Sequence, residues 1–353
     1  MAKAKPRLPH QEENPPAEPP VAINTLVDLK GVGPIYAARL IDAGKTDFQS
    51  IVASTPTEIA EITGMTKDDA ADVCRFARKT LVEQGVLFKE FATATEIYEQ
   101  RKKLKHLSTG IKKFDELLFG GYESKASYEF FAEFGSGKTQ LCHTASVIAQ
   151  LPEKEGGLNG SVVYIDTEGT FRPERIVEIA TERKYAKSDK EAAKFLDRIL
   201  VARAYNSDHQ RTIIDGIPLA IKTWNAIEGN TRIVLVVVDS LTALYRAEMV
   251  GRELLAPRQQ KINQMYHNLN RDAEVYDFVA LVTNQMVASP DMFERDKGAG
   301  GNVVAHTSTY RISLRKKLKN CILRMVDSPM HPEVEVTFKL NERGVDDFKE
   351  EKK

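Results

Sequence analysis

The stretch FFAEFGSGKTQLCHTASVIAQ, residues 130–150, decides how the rest of the chain is interpreted. An apolar run of strand character leads into two glycines, Gly135 and Gly137, and then into Lys138, Thr139 and a helix-like tail. The stretch fits [AG]xxxxGK[ST], a phosphate-binding loop between a strand and a helix. Its glycines allow a tight backbone path whose N–H groups converge on one point, and the helix N-terminus adds partial positive charge. The pattern predicts a triphosphate site, with a plain glycine turn as the alternative.

The loop also predicts individual roles within an ATP and Mg²⁺ site. Lys138 is expected to reach the β- and γ-phosphates, and the Thr139 hydroxyl to ligate Mg²⁺. Ala132 stands where such loops often begin with glycine, and we expect it to be tolerated if its φ is negative. The predicted nucleotide-binding set is Glu133, Phe134, Gly135, Ser136, Gly137, Lys138, Thr139 and Gln140.

Three later apolar runs lead to polar side chains that suit nucleotide chemistry. IVLVVVDS, residues 233–240, predicts a central parallel strand ending in Asp239, whose carboxylate would hold the Mg²⁺ shell. Glu168, just past the run 161–166, is a candidate base that aligns the attacking water, or else a helix-capping acid. Gln285, in the stretch LVTNQM, is a candidate γ-phosphate contact, or else an ordinary polar residue at a strand end.

The chain divides into four parts by composition and pattern. Residues 1–20, rich in Pro, Glu and Lys, are predicted to be a disordered tail. Residues 21–85 predict a small helical DNA-binding domain, and residues 86–104 a linker that is extended at first and then highly charged. In residues 105–353, strand-like runs alternate with helical stretches and later follow one another directly. This pattern predicts an α/β core with a mostly parallel sheet, extended by antiparallel strands.

A glycine hairpin lies in the helical domain. Gly31 and Gly33 flank a valine and precede a predicted helix whose Ile35, Ala38 and Ile41 share one face. Exposed N–H groups of such a hairpin can bind a DNA phosphate without reading sequence. Duplex binding is therefore predicted here, with an ordinary turn between helices as the alternative.

The segment after the Asp239 strand is the first candidate for contacts with single-stranded DNA. YRAEMVGRELLAPRQQK, residues 245–261, brings Arg246, Arg252 and Arg258 into a local basic patch. Guanidinium groups in such a patch neutralise phosphates. An ordinary charged surface segment is the alternative.

A second candidate DNA loop follows Gln285. Residues 286–302 are polar and contain Gly298, Gly300 and Gly301. A mobile loop directly after a γ-phosphate contact would transmit the ATP state to bound DNA. An ordinary surface loop is again the alternative.

Phe91-Ala92-Thr93-Ala94 is an apolar, extended segment in the predicted linker. A strand of this kind can add to the sheet edge of a neighbouring molecule and place Phe91 in a pocket. The alternative is that Phe91 packs within its own chain.

The composition predicts a cytoplasmic protein of two or three domains. Its 353 residues are 42% hydrophobic, enough for a sizeable core. Lys and Arg number 50, as do Asp and Glu, so any nucleic-acid site must be local. Cys74, Cys142 and Cys321 show neither metal-ligand spacing nor a disulfide framework, which favours a reducing compartment. No apolar run approaches the roughly 18 residues of a membrane span, and the first residues lack a signal-peptide stretch.

These elements, in this order, resemble the RecA/RadA-type DNA recombinases. The resemblance spans about residues 105–345 and includes the hairpin domain and the FATATE connector. It is specific because many motifs share it: AEFGSGKTQ, IDTEGTFRPERI, ARAYNSDHQ, VVVDSLTALYRAEMVGR, APRQQK, VTNQM, GGNVVAH and VDSPMHPE. The resemblance implies a RecA-like core and an ATP-dependent filament or ring on single-stranded DNA. Such an assembly pairs with homologous duplex and exchanges strands in recombinational repair of DNA damage.

The resemblance also implies residue roles. Glu168 falls on the catalytic glutamate of the family and Gln285 on its γ-phosphate sensor. The FATA segment, with Phe91 and Ala94, falls on the part through which the family polymerises. Further implied roles belong to Arg175 on the adenine, His306 near the ATP interface, Asp327 and Pro332 in a cap over a neighbour's nucleotide, and Leu200, Ala202 and Tyr205 in the receiving surface.

Two other functional classes remain open. A non-catalytic recombinase paralogue or mediator would bind DNA and partners with little ATP turnover, and Ala132 favours it. A replicative-helicase or clock-type ATPase would use the same fold without needing the hairpin domain or the Phe91 segment. Glu168, Gln285 and Phe91 favour the active recombinase, with single- and double-stranded DNA, further copies of the chain and recombination mediators as partners.

Overall fold

The structure is a computed structural model that describes residues 26–286 and 307–348. Its α-helices are α1 (Pro34–Asp42), α2 (Phe48–Val52), α3 (Pro56–Thr63), α4 (Lys67–Glu83), α5 (Ala94–Arg101), α6 (Lys112–Leu117), α7 (Lys138–Ile148), α8 (Pro173–Glu182), α9 (Asp189–Ala192), α10 (Ser207–Asp215), α11 (Ile217–Asn225), α12 (Ala243–Glu248) and α13 (Leu255–Tyr276). Its strands are β1 (His106–Leu107), β2 (Tyr122–Glu123), β3 (Ser127–Ala132), β4 (Ser161–Asp166), β5 (Ile199–Arg203), β6 (Ile233–Asp239), β7 (Val279–Gln285), β8 (Tyr310–Lys317), β9 (Asn320–Asp327), β10 (Glu335–Asn341) and β11 (Gly344–Asp347). Short 3-10 turns lie at Leu26–Asp28, Glu153–Glu155 and Ala193–Arg198.

The core is one large sheet, which in the described ranges has nine strands in the order β11-β10-β9-β8-β3-β7-β6-β4-β5. Neighbours from β8 to β5 run parallel, whereas β8, β9, β10 and β11 pair antiparallel. The predicted mostly parallel sheet with antiparallel extension is confirmed. Strands β3, β4 and β6 are buried along their whole length, and alternate side chains of β4 and β6 enter two hydrophobic cores. Such two-sided burial explains their unbroken apolar sequences.

Parallel pairing brings the polar strand ends together. The register places Asp166 of β4 beside Asp239 of β6, and Ala132 of β3 beside Gln285 of β7. In an open α/β sheet, ligands bind outside the carboxyl ends of the strands. The residues after these four strands therefore share one edge, where a site can form.

Helices α1 to α4 form the N-terminal bundle, and the face of α1 that carries Ile35, Ala38 and Ile41 points away from its interior. Ile35 is 70% exposed and Ile41 52% exposed, and Ala38 is exposed as well. Ala37 and Leu40 are buried instead. Because this short helix is apolar nearly all round, its sequence does not define one inner face, and tertiary packing selects it.

The bundle packs against the core through α2 and the loops beside it. Gln49 Nε2 donates to the Val275 carbonyl oxygen at 3.0 Å, and Lys222 Nζ donates to the Thr46 carbonyl oxygen at 2.7 Å. Residues of both parts belong to one apolar cluster. The two parts are therefore in direct contact in this structure.

The linker contains a helix that the sequence analysis did not predict. Thr93 caps helix α5, since its backbone N–H donates to Glu96 at 2.8 Å and its hydroxyl accepts from the Glu96 N–H at 3.2 Å. Ala94 is consequently the first residue of a helix, and its assignment to an extended segment is wrong. The Thr-x-x-Glu capping box explains the early start. Phe91 is 94% exposed, so it does not pack within its own chain.

None of the helices in residues 26–286 and 307–348 combines the length and apolar character that a bilayer crossing requires. All three cysteines are free thiols.

Candidate nucleotide site

The phosphate loop joins β3 to α7 as the sequence predicts. Gly135 and Gly137 have φ values of +74° and +101°, in the region that glycine adopts without strain. A Cβ at Gly137 would also lie 3.0 Å from the side chain of Leu340. Ala132 is the last, buried residue of strand β3, so its extended backbone does not require glycine. The loop ends at the N-terminus of α7, where free N–H groups and the helix dipole favour an anion.

Lys138 lies across the mouth of this loop. Its Nζ donates to the carbonyl oxygens of Ala132 and Glu133, each at 3.0 Å. Burial lowers the pKa of Lys138 from its ordinary value, while the carboxylates of Asp239 and Glu168 act in the opposite direction. The lysine therefore lies near the two acidic residues that the sequence assigned to the same reaction.

Asp239 is the centre of a hydroxyl cluster. Its carboxylate is 3% exposed and accepts hydrogen bonds from Thr139 at 2.9 Å, Tyr164 at 2.9 Å and Thr283 at 2.5 Å. A fourth hydroxyl, that of Thr170, lies 3.5 Å away. Thr139 and Asp239, the two predicted metal ligands, are thus in direct contact. The sequence analysis missed the Tyr164 and Thr283 hydroxyls, which come from inside apolar strands.

The donor set at this point suits magnesium. Thr139 and Asp239 supply oxygen ligands beside a loop built for phosphate. Across the described ranges, no group of three or more His, Cys, Asp or Glu residues could hold a metal ion by itself. Mg²⁺ is usually held by one or two carboxylates together with substrate phosphates and water, so these residues fit the ion.

Glu168 and Gln285 meet across the sheet edge. Gln285 Nε2 donates to the exposed Glu168 carboxylate at 3.0 Å, and Arg246 donates to the Gln285 side-chain oxygen at 2.9 Å. The backbone N–H of Gln285 donates to the Asn284 side chain at 2.8 Å. A candidate base, a candidate phosphate sensor and one candidate DNA contact therefore form a single hydrogen-bonded chain.

Asp166 holds the loop that carries Glu168, and the sequence analysis did not identify it. Its carboxylate, 4% exposed, accepts backbone N–H groups from Glu168 at 3.1 Å, Gly169 at 2.7 Å, Thr170 at 3.1 Å and Phe171 at 3.2 Å. An aspartate followed by short polar residues and a glycine is a typical loop-organising pattern, which was the available signal.

Arg175 lies beside the phosphate-loop helix. Its Nε donates to the Gln140 side chain at 2.8 Å, and its guanidinium also bonds Glu178 and the backbone oxygens of Asn341 and Glu342. The arginine is thus fixed between α7 and the β10–β11 turn. Its contact with an adenine stays a prediction.

The other predicted residues are distributed more widely. Arg258 donates to the Met249 carbonyl oxygen at 3.0 Å, and Arg252 is exposed in the turn before α13. Gly31 has a φ of +92° and Gly33 caps α1 with an extended backbone, as a hairpin requires. His306, Gly298, Gly300 and Gly301 lie outside the described residues, as does the tail 1–20.

Asp327 and Pro332 lie near the strand ends opposite to those that carry the phosphate loop, since His331 beside Pro332 packs on Tyr310 at the start of β8. Asp327 ends β9 beside Arg311, and Arg311 pairs with Glu129 in the amino-terminal half of β3. Ala132, where the phosphate loop begins, is at the carboxyl end of the same strand. Both predicted cap residues are exposed. Their position rules out a cap over the chain's own phosphate loop in this structure.

Fold and site together define a P-loop ATPase with a RecA-like core and an N-terminal helix-hairpin-helix domain. The family described as Rad51 matches residues 100–348, and the SAM-like helix-hairpin-helix tandem matches residues 23–79. The chain is 46% identical over 328 residues to the DNA repair and recombination protein RadA of Cenarchaeum symbiosum (strain A), covering 92% of this chain and 79% of that relative. The chain therefore belongs to the Rad51/RadA recombinase family, and the predicted family and fold class are confirmed.

Proposed function

We propose that this chain is an ATP-dependent DNA recombinase, which assembles on single-stranded DNA, pairs it with homologous duplex and exchanges strands in repair. The observation that carries the proposal is the meeting of four groups at one sheet edge, in a chain of the recombinase family. These groups are Lys138, Asp239, Glu168 and Gln285. They supply anion binding, metal binding, water alignment and phosphate sensing in one place.

The nucleotide is ATP. Residues 133–140 hold its phosphates, and Arg175 contacts its adenine ring. Lys138 exchanges its carbonyl partners for phosphate oxygens, which compensates its buried charge better than neutral dipoles do. Thr139 and Asp239 hold Mg²⁺, which when bound neutralises charge that develops on the phosphates. The clustered hydroxyls keep the Asp239 carboxylate oriented toward that position.

Glu168 aligns and deprotonates the attacking water. Its carboxylate is exposed to the site and oriented by the Gln285 amide at 3.0 Å. A γ-phosphate that recruits Gln285 changes this contact and the Arg246 contact beyond it. Nucleotide state thereby reaches the segment of Arg246, Arg252 and Arg258, and also the loop with Gly300 and Gly301 that follows Gln285.

DNA is bound through its backbone. The three arginines neutralise phosphates of the single strand, and the Gly31–Gly33 hairpin holds duplex phosphates through N–H groups. Homology is tested by base pairing, so the protein needs no base-specific contacts. The proposed domains are the helix-hairpin-helix part 21–85, the linker 86–104 and the ATPase core 105–353, acting in the cytoplasm.

Assembly places Phe91 of one copy on strand β5 of the next. Phe91 is 94% exposed, and β5 is the last strand of the sheet, with Ala202 partly exposed and Tyr205 74% exposed. An exposed edge strand is a template for strand addition. Asp327, Pro332 and His306 of one copy then complete the nucleotide site of the next. Ala94 contributes from the start of helix α5.

Strand exchange between fluorescent oligonucleotides, with ATP and Mg²⁺, tests the proposal. The chain is expected to exchange strands, and Lys138→Ala to abolish exchange while retaining its fold. Phe91→Glu is expected to shorten assemblies, as measured by light scattering. Absence of exchange by folded, DNA-binding protein over a range of ions and temperatures would instead support a non-catalytic paralogue.

A further inference from the structure

Strand β5 touches the loop of Glu168 through one arginine. Arg203 Nη1 donates to the Asp166 carboxylate at 3.0 Å and lies near the Asp166 carbonyl oxygen at 3.3 Å. The two residues are register partners in the parallel β4–β5 pair. The Asp166 side chain is 6% exposed and that of Arg203 37% exposed, so one member is buried and the other is reachable from the sheet edge.

The loop is shaped around this arginine. Gly169, one residue after Glu168, has a φ of +73°, and a Cβ there would lie 3.0 Å from the Arg203 guanidinium. The missing side chain lets the guanidinium lie directly against the loop backbone. Arg203 therefore contacts the loop in two ways, through the Asp166 carboxylate and through the surface of Gly169.

The same guanidinium also faces the outer edge of the sheet. Its central carbon lies 6.0 Å from the ring centre of Tyr205, and this ring stacks on His209 at 5.9 Å. Tyr205 is 74% exposed and Val201 of β5 is 46% exposed. In the described ranges β5 pairs with β4 alone, so its outer side is open to another chain.

We infer that Arg203 and Asp166 are positioning residues that link the outer edge of β5 to Glu168. A second copy of this chain seated on β5 covers Tyr205 and removes water from Arg203. The Arg203–Asp166 ion pair is then stronger because the local dielectric is lower. The four N–H groups held by Asp166 fix Glu168 more tightly, so an assembled neighbour promotes hydrolysis. The inference rests on the proposed function, since it needs Glu168 as the base and β5 as the receiving edge.

Steady-state ATP turnover of the full chain with single-stranded DNA tests the inference. Arg203→Met removes the ion pair but keeps much of the side-chain volume. We expect kcat to fall by about tenfold with KM for ATP little changed, because a slight misplacement of the base affects the reaction step and not ATP binding. Arg203→Lys should recover part of kcat. In a Glu168→Gln background, Arg203→Met should cause no further loss, because its effect passes through Glu168.

Arg211→Met is the matched control, since Arg211 forms an exposed ion pair with Asp215 at 3.4 Å on helix α10, away from the Glu168 loop. Its kcat should match that of the parent chain. Light scattering and thermal unfolding must show that Arg203→Met still assembles and folds. If it does not, Arg203→Lys and Tyr205→Leu are tested in its place. Each of these two variants is expected to have a lower kcat than the parent chain. The inference would be overturned by an unchanged kcat in the Arg203 variants, or by a loss that adds to that of Glu168→Gln. The proposed function is tested separately, by the effect of Glu168→Gln alone. An unaffected Glu168→Gln would overturn both.

Discussion

The ends of strands β4 and β6 look alike in sequence and differ in what they hold. Asp166 and Asp239 each close a fully buried apolar strand, lie side by side in register, and are 4% and 3% exposed. Asp239 accepts hydrogen bonds from side-chain hydroxyls. Asp166 accepts backbone N–H groups and an arginine.

The two kinds of hydrogen-bond donor suit the two aspartates to different roles, Asp239 as a metal ligand and Asp166 as the support of a loop. A hydroxyl can rotate and offer a lone pair in place of its proton. The Thr139 hydroxyl and the Asp239 carboxylate can therefore both face a cation while the backbone stays in place. A backbone N–H cannot leave its loop, so Asp166 is committed to the conformation of residues 168–171. The same residue at two neighbouring strand ends is therefore suited to bind metal in one case and shapes the loop of Glu168 in the other.

The largest expected effect is on ATP turnover, and it distinguishes the Asp239 carboxylate from the Asp166 carboxylate. Asp239→Asn should lower ATP turnover by about 100-fold or more, because an essential electrostatic ligand is lost. It should also raise the Mg²⁺ concentration needed for half-maximal turnover. Asp166→Asn should cost about tenfold in kcat with an unchanged Mg²⁺ requirement. Magnesium titrations of ATP turnover measure both, and an equal shift in Mg²⁺ requirement for the two variants would contradict the comparison.

The next effect concerns His143 of helix α7, which packs against Tyr164 and Phe171. Burial lowers the pKa of His143 to about 4, and the fields of Asp239 and then Asp166 oppose that shift. Between this pKa and the unfolded value of about 6.5, the unfolded state binds the proton and the folded state does not. Stability should therefore fall as pH drops, by roughly 2 kcal/mol between pH 7 and pH 5.

Urea unfolding at the two pH values measures this loss, with His143→Gln as the control because it removes the titrating group. The difference in stability between the parent chain and this variant should change with pH by the stated amount. A parent chain and a control that lose equal stability would exclude this role for His143.

A smaller effect compares two glycines of nearly equal φ. Gly169 and Gly135 have φ values of +73° and +74°, so alanine at either costs about 1–2 kcal/mol of backbone strain. A Cβ at Gly135 meets nothing within 4 Å, whereas one at Gly169 meets Arg203. Gly169→Ala should therefore lower kcat, and Gly135→Ala should raise KM for ATP. Identical kinetic changes in the two variants would argue against a separate loop scaffold.

The smallest effect tests a single hydroxyl at Asp239. Thr283→Val removes the donor at 2.5 Å and should cost about 1 kcal/mol of unfolding free energy, because other hydroxyls still satisfy the carboxylate. Chemical denaturation measures the change. Tyr164→Phe is the matched variant with a donor at 2.9 Å, and a loss above about 3 kcal/mol in either would mean that the hydroxyls are not redundant.

Local patterns in the sequence predicted much of the fold and the residues of the candidate nucleotide site. The phosphate loop, the buried strands and the aspartate after β6 are encoded within short windows, because backbone conformation and strand burial leave local signatures. Gln285 and Glu168 were also predicted as site residues from their positions at strand ends, and the structure brings the two side chains into contact. One local conclusion was wrong. Ala94 begins a helix because the capping box of Thr93 and Glu96 overrides the extended segment.

What the sequence by itself determined is a P-loop core, a helical N-terminal part and a set of residues predicted to hold a triphosphate. The tertiary structure alone decided that Asp166 and Asp239 have different partners, that Glu168 and Gln285 touch, and that Arg203 joins strand β5 to the loop of Glu168. The physical reason is that these contacts join residues far apart in the chain. Strand order and register set such contacts, and no short window of sequence records them.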